Sequence, residues 1–245
     1  MLVRRLQGTA GTVERAWIGK TVVCIAGGPS LTQEQLSLVR RAREADAVRV
    51  VVVNDIYLIA PWADVMYFAD HRWFLWTTSG VPKSWPWAKF SADDVRKAWS
   101  GFKGQKVTIK HNPMANGPDI LSLDNAGGEG LSDRPTAICT GSNSGFQALQ
   151  IAVHSGGNPI LLVAYDMRFL AARTHSHNGH QVRMHESAYK GYAKKFGTLQ
   201  RPLEKLRVKV INCTPGSAIE CFERGSLDAC LQLPSSGAVL SAPGV

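Results

Sequence analysis

No stretch of about 18 consecutive apolar residues occurs in the chain, so no membrane-spanning helix is expected. Near the start, Arg4, Arg5, Glu14 and Arg15 interrupt any apolar run across residues 1–20, and no signal peptide is expected there. Cysteine is sparse and unpatterned. Cys24, Cys139, Cys213, Cys221 and Cys230 are odd in number and form no CxxC pair, which fits a reducing cytoplasm. Cys24 and Cys139 sit in apolar surroundings and read as small core residues rather than nucleophiles. Two phosphate fingerprints are also missing, since the chain has neither a GxxxxGK(S/T) P-loop nor a GxGxxG dinucleotide turn.

What is present is a chain of 245 residues with 28 basic and 19 acidic side chains, a net charge of +9. That length allows one large domain with insertions. The charge favours anionic partners such as nucleotides, nucleic acid or acidic glycans, without choosing among them.

The segment from Thr140 to Met167 carries the most information. Phe146, Leu149, Gln150, Val153 and His154 recur at helical spacing, and Gly156 and Gly157 can stop the helix. Its N-terminus then falls at Ser142, Asn143, Ser144 and Gly145. First-turn amides lack intrahelical partners and the helix dipole adds partial positive charge, so a phosphate or carboxylate can dock there. Simple capping by serine and asparagine accounts for the same residues. The apolar run Ile160 to Ala164 suits a strand covered on both faces, and Asp166 falls just past its carboxyl end. Ligands of open α/β sheets bind at that edge.

Other strand ends repeat the theme. An apolar strand over Thr21 to Ala26 leads through Gly27, Gly28, Pro29 and Ser30 into a helix from Gln33 to about Ala45, with Thr32 and Gln35 spaced as a capping box and Leu31 and Leu36 as a staple. Further strands over Arg49–Val53 and Val65–Ala69 end in Asn54, Asp55 and Asp70. Alternating strands and helices predict a doubly wound, mostly parallel α/β fold. Six of the seven tryptophans lie between Trp62 and Trp99, marking an aromatic-rich insertion or lid over about residues 71–105. Its rings serve either to stack on a base or sugar or to form the core of a small lobe. Residues 111–134 are rich in Gly, Asn, Asp and Pro and read as a long loop. A helix from Ser187 to about Lys205, a last strand over Val208–Ile211 and an uncharged tail over 232–245, expected to be flexible, complete the chain. The resulting division is an N-terminal extension over 1–19, one domain over 20–231, and the tail.

Four of the seven histidines, His175, His177, His180 and His185, fall within eleven residues. Three readings are open for the first three: a base or substrate contact, a solvated loop, or ligands of a transition metal, with Asp166 as a fourth ligand.

In sequence order, the strand followed by GGPSL, the strand ending at Asn54, TGSNSG opening a helix, the strand ending Tyr165-Asp166, the histidine loop with Gly179-His180, and the strand followed by Asn212-Cys213-Thr214-Pro215 resemble the family 42 sialyltransferases. The resemblance extends to their bacterial and phage relatives, grouped with hydroxymethylpterin pyrophosphokinase-like domains, and covers about Val22 to Cys221. It implies a single Rossmann-like, GT-A-like domain that transfers a sugar from a CMP- or UDP-linked donor to a hydroxyl acceptor such as a glycan, with no cofactor or metal required; the positive charge would also suit a modified DNA base as acceptor. Gly27, Gly28, Pro29 and Ser30 would line the nucleotide with Asn54 and Asp70. Ser142, Asn143, Ser144 and Gly145 would hold the donor's phosphate or carboxylate. His180 would be the base, with His177 and Asp166 organising the site. Two positions depart from the family: Gly27 stands where those enzymes have asparagine, and Arg168 where they have a tyrosine that stabilises the leaving phosphate. Arginine can bind phosphate bidentately. Two other functions fit parts of the pattern: a magnesium-dependent pyrophosphokinase using ATP, with Asp55, Asp70 and Asp166 around the metal, and a non-catalytic, phage-associated nucleic-acid-binding protein.

Overall fold

Near-continuous apolar runs such as those at residues 22–25, 50–53 and 160–163 build a sheet buried on both faces. The structure is a computed structural model that describes residues 3–4, 11–110, 117, 119–170, 173–178, 180 and 185–231. Its strands are β1 (Val3–Arg4), β2 (Thr12–Val13), β3 (Thr21–Ile25), β4 (Val48–Val53), β5 (Val65–Tyr67), β6 (Lys83–Trp85), β7 (Ala88–Phe90), β8 (Gln105–Ile109), β9 (Ile120–Asn125), β10 (Ala137–Ile138), β11 (Ile160–Val163), β12 (Val210–Asn212) and β13 (Glu223–Arg224). The helices are α1 (Gln33–Glu44), α2 (His71–Ser79), α3 (Ala92–Gly101), α4 (Ser144–His154), α5 (Glu186–Phe196), α6 (Gln200–Leu206) and α7 (Leu227–Leu231).

Nine strands form one parallel sheet in the order β10-β9-β8-β5-β4-β3-β11-β12-β13. The chain therefore starts near the centre at β3, steps outward to β10, and returns through α4 to lay β11 on the other side of β3. Strand order reverses between β3 and β11, where the loops at the two carboxyl ends diverge and leave a crevice. Within β3, Val22 and Cys24 face a core built with α4, α5 and α6, while Val23 and Ile25 face one built with α1, α2, α3 and α7. The same split repeats in β11, with Ile160 and Leu162 on the first side and Leu161 and Val163 on the second. Helices on both faces make this a doubly wound α/β fold.

Helix α1 starts where its sequence indicates. Thr32 Oγ1 accepts from the Gln35 amide at 3.2 Å and Gln35 Oε1 accepts from the Thr32 amide at 3.0 Å, closing the capping box. Helix α4 is buried from Gly145 through Val153, including its two glutamines. Gln150 sits in the apolar stripe because it completes the edge strand: its Nε2 donates to the Cys139 carbonyl at 2.8 Å and its Oε1 accepts from the Cys139 amide at 2.9 Å. Both sides of a buried amide are thus satisfied, and the residues entering the α4 loop are fixed.

Several sequence expectations change. Residues 111–134 are not one long loop, because β9 lies within them, and β8 precedes them unannounced; Asp124 and Asn125, unfavourable in strands, mask the end of β9. The helix expected over Ser187–Lys205 is broken into α5, a 3-10 turn at Gly197–Leu199, and α6, with Pro202 in the first turn of α6 where a missing amide costs little. The last long strand is Val210–Asn212 rather than Val208–Ile211. Between β5 and β8, α2, the β6–β7 hairpin and α3 form the aromatic-rich segment, whose end is set by β8 starting at Gln105. Its rings are mostly core: Tyr57 meets Trp73, Trp99 and Phe102 edge-on at 6.2 to 6.3 Å. Ahead of β3, Val13 and Trp17 are buried against the domain. The tail over 232–245 lies outside the described residues. Among those described, no helix is long and apolar enough to cross a membrane. Cys24 and Cys139 are buried as expected, and burial pushes the Cys24 thiol up to about 12.

Candidate functional site

The crevice between the ends of β3 and β11 is shaped by close backbone approach. Gly28 donates its amide to the Ala164 carbonyl at 3.1 Å. A Cβ at Gly28 would lie 2.0 Å from Asp166 Oδ2 and 2.3 Å from the Ala164 oxygen, so only glycine fits between turn and acid. Ser30 stands behind the turn and donates its hydroxyl to Asp166 Oδ2 at 2.8 Å. The other carboxylate oxygen, Oδ1, is buried with no hydrogen-bond partner. Burial raises the Asp166 pKa, opposed by the Ser30 hydrogen bonds and, less, by Arg168.

Opposite the turn is the N-terminus of α4. Asn143 is the N-cap and accepts from the Phe146 amide through Oδ1 at 3.1 Å. Gly141 and Ser142 precede it with φ of 52° and 55°, left-handed backbone that turns the chain sharply into the helix. Ser144 and Gly145 begin the helix, so their amides have no intrahelical acceptor and point out of its end. The Tyr165 ring lies against Gly145, where a Cβ would be 2.8 Å from it, and the Tyr165 hydroxyl donates to the Gly145 carbonyl at 3.1 Å. From α5, Lys195 Nζ donates to Ser142 Oγ at 3.0 Å, adding a cation to the same end.

A cleft of about 270 Å³ joins these parts, and its walls include Gly27, Gly28, Pro29, Asn54, Asp70, Ser142, Asn143, Ser144, Gly145, Asp166, Arg168, His177 and His180. The structure thus gathers the expected site residues, Ser30 excepted, which acts from behind Asp166. Asp70 lies at the wall with its carboxylate engaged as the N-cap of α2, Oδ1 accepting from the Arg72 amide at 2.7 Å. Arg168 is exposed and packs over Gly216, where a Cβ would meet its Nη2 at 2.4 Å. Strain concentrates here: of six non-glycine residues with positive φ among the described residues, Asn54, Ser142, Ala164 and Met167 line the cleft. Each left-handed non-glycine residue costs on the order of 1 kcal/mol and persists where the surroundings dictate it, a pattern common at ligand sites.

The histidine loop closes one side. Ser176 donates its amide to the Gly27 carbonyl at 3.0 Å, tying loop to glycine turn. His175 and His180 stack nearly parallel with ring centres 4.0 Å apart, and the edge of Trp76 approaches His180. Burial, then the neighbouring His180, His177 and Lys83, holds His175 down to about 2, so it is neutral at ordinary pH. His177 is buried deeper, its Nδ1 facing the Asn178 carbonyl at 3.0 Å and its Nε2 facing Asp55 Oδ2 at 3.3 Å. Face-to-face rings at His175 and His180 cannot both aim a nitrogen lone pair at one ion between them. Among the described residues, no group of three His, Cys, Asp or Glu has the geometry to hold a metal.

The fold is shared with a glycosyltransferase. A comparison with solved structures aligns the chain with the MAf glycosyltransferase from Magnetospirillum magneticum AMB-1 at a TM-score of 0.53 and 11% identity. The alignment covers 91% of this chain and 35% of that one, so this chain spans about a third of that protein's length. No family model and no curated protein matches the sequence.

Three contributors to the cleft escaped the sequence reading. Lys83 and Trp85 come from β6, in the segment read as a lobe or lid. Lys83 Nζ lies 3.2 Å from Asp55 Oδ2, and Trp85 Nε1 donates to Ser176 Oγ at 3.2 Å while its ring packs on His177. Tyr189, foreseen only as a helix-face residue, lines the cleft and donates its hydroxyl to the Thr174 carbonyl at 3.3 Å. A lysine inside a strand flanked by tryptophans was the available clue, since buried lysines require a partner.

Proposed function

We propose that the cleft is the active site of a glycosyltransferase that moves a sugar from a CMP- or UDP-linked donor to a hydroxyl acceptor. The observation that carries this reading is convergence at one switch point of a glycine turn, an open helix N-terminus and a histidine at the rim. His180 takes the proton of the acceptor hydroxyl, whose oxygen bonds to the anomeric carbon as that carbon's bond to the nucleotide phosphate breaks. The departing phosphate carries the negative charge, which the α4 amides, Ser144 and the Arg168 guanidinium neutralise. Asp166 and Ser30 hold the glycine turn in shape for the nucleotide. This is sialyltransferase-like chemistry, and a net charge of +9 suits an anionic acceptor such as an acidic glycan or a modified DNA base.

The transfer is proposed to need no metal. One oxygen of each nearby carboxylate is already committed, Asp55 Oδ2 to Lys83 and His177, Asp70 Oδ1 to the α2 amides and Asp166 Oδ2 to Ser30, and among the described residues the three do not form a group spaced to hold an ion. The core positions of Trp73 and Trp85, each 3% exposed, withdraw those two rings from the stacking that single-strand binding would need. Calorimetry against CMP, UDP, GDP and ATP, each with magnesium and with EDTA, tests the reading. Binding of CMP or UDP that survives EDTA is expected. Binding of ATP alone, and only with magnesium, would replace this function with pyrophosphoryl transfer.

A further inference from the structure

Two lysines are almost fully buried, and they differ in what they face. Lys106 pairs with Asp119, whose side chain is 58% exposed, and its ammonium lies over the Trp99 ring. Lys83 pairs with Asp55, and the side chains of Lys83, Asp55 and His177 are 1%, 3% and 2% exposed. Asp55 Oδ2 is shared, 3.2 Å from Lys83 Nζ and 3.3 Å from His177 Nε2. Removing two charges from water is costly, and well-packed apolar side chains generally serve stability as well or better. A buried pair aimed at a histidine of the cleft therefore points to a role beyond stability.

The surrounding contacts say what that role is. Lys83 opens β6, whose next residue, Ser84, bridges to Asn178 with the Asn178 amide donating to the Ser84 carbonyl at 2.8 Å. Trp85 holds Ser176 and the His177 ring. Asp55 follows Asn54 at the carboxyl end of β4, so the anchor is rooted in the sheet. Both ring nitrogens of His177 face acceptors, the Asn178 carbonyl and Asp55. A neutral ring donates to one of them only, whereas the imidazolium would satisfy both. Burial is what chiefly disfavours the imidazolium; Asp55 and the Asn178 carbonyl favour it, and the Lys83 cation beside Asp55 opposes them. The titratable and charged groups facing His177 are Asp55 after β4, Lys83 on β6, and His175 and His180 on its own loop.

We propose that Lys83 and Asp55 are positioning residues that fix His177 in one orientation, and thereby hold the loop so that His180 presents its ring to the cleft. The inference rests on the transferase reading for its kinetic consequence and on geometry for the rest. Lys83→Met keeps the aliphatic stem and removes the charge; Asp55→Asn keeps the shape and removes the shared carboxylate. Each is expected to lower kcat by about tenfold or more while the Kd for the bound nucleotide stays within about twofold. The double variant should be no slower than the slower single, because the two act as one unit. A second readout needs no turnover: in a titration of the ring nitrogens by NMR, His177 should protonate at higher pH in Lys83→Met than in the parent chain, since a repelling cation is gone. An unchanged His177 titration, or a loss of nucleotide binding equal to the loss of kcat, overturns the proposal. Absence of nucleotide binding by the parent chain would defeat the transferase reading instead, and the His177 titration would then decide the positioning role by itself.

Discussion

Two clefts open along the carboxyl edge of the same sheet, and the larger is the less equipped. The one beside β12, β13 and α1 holds about 900 Å³ and is lined by Gln33, Ser37, Arg41, Thr214, Arg224 and Asp228 among others. The one at the β3–β11 switch holds about 270 Å³. None of the large cleft's residues is a left-handed non-glycine, whereas four such residues line the small one. Of six buried side-chain atoms left without hydrogen-bond partners among the described residues, Asn54 Oδ1, Asp55 Oδ1, Trp73 Nε1 and Asp166 Oδ1 belong to residues of the small cleft and none to the large. Open volume is a by-product of how loops happen to pack. Strain and unanswered polar atoms cost free energy, so their coincidence in one place is the better sign of a ligand.

The contrast can be broken first at His180. His180→Ala should lower turnover by on the order of 10²- to 10⁴-fold with nucleotide affinity nearly unchanged, measured by steady-state kinetics beside calorimetry. Retained turnover would remove the histidine, and with it the main claim on the small cleft. Next, Gly28→Ala forces a methyl into Asp166 and the Ala164 carbonyl. Overpacking of this kind costs about 1–3 kcal/mol, and nucleotide binding should fall by at least tenfold; a variant that binds normally would show that the turn is not a nucleotide wall.

Acid should act through the small cleft too. Burial lowers the pKa values of His175, to about 2, and His177 in that cleft, and of His154 at the other end of α4. A lowered histidine takes its proton more readily in the unfolded chain, so the stability it contributes is present above about pH 6.5 and is lost as pH falls below it, by about 1.4 kcal/mol per pH unit for each ring that stays neutral. Asp166, raised by burial, works in the opposite sense at lower pH. Urea unfolding at about pH 7.5 and about pH 5.5 should show the loss, and His175→Phe should make it shallower. An equal slope in that variant would exclude His175 as a source. The smallest effect is expected from Ser37→Trp, which fills part of the large cleft from the exposed face of α1. Turnover and nucleotide affinity should stay within about twofold. A marked loss of turnover alone would mean that the acceptor sits there, and the ranking of the two clefts would have to be reversed.

Most of the scaffold of the small cleft was legible before any coordinates, because its signals are local. Gly27-Gly28, the α4 cap at Asn143 and the acid at Asp166 each sit at a strand end or helix start that hydrophobic periodicity locates. The Lys83–Asp55–His177 cluster was not legible, because its members lie on three separate segments that only tertiary packing brings together. Strand β9 was hidden for another reason: near the sheet edge its pattern is half polar, and turn-forming residues at its end imitate a loop. The tryptophans left two readings open, and packing around Tyr57 decided Trp73 and Trp99 for the core.

The bridge between Ser84 and Asn178, with the bond from Ser176 to Gly27, has a consequence for anyone rebuilding this cleft. Among the described residues, the rim that carries His180 is held from outside: it is stitched to a hairpin on one side and to the glycine turn on the other, with Asp55 and Tyr189 bracing it between. A graft of residues 173–180 onto a related scaffold would arrive without its footing. The transplantable part is a discontinuous one, in which turn, hairpin and rim travel together.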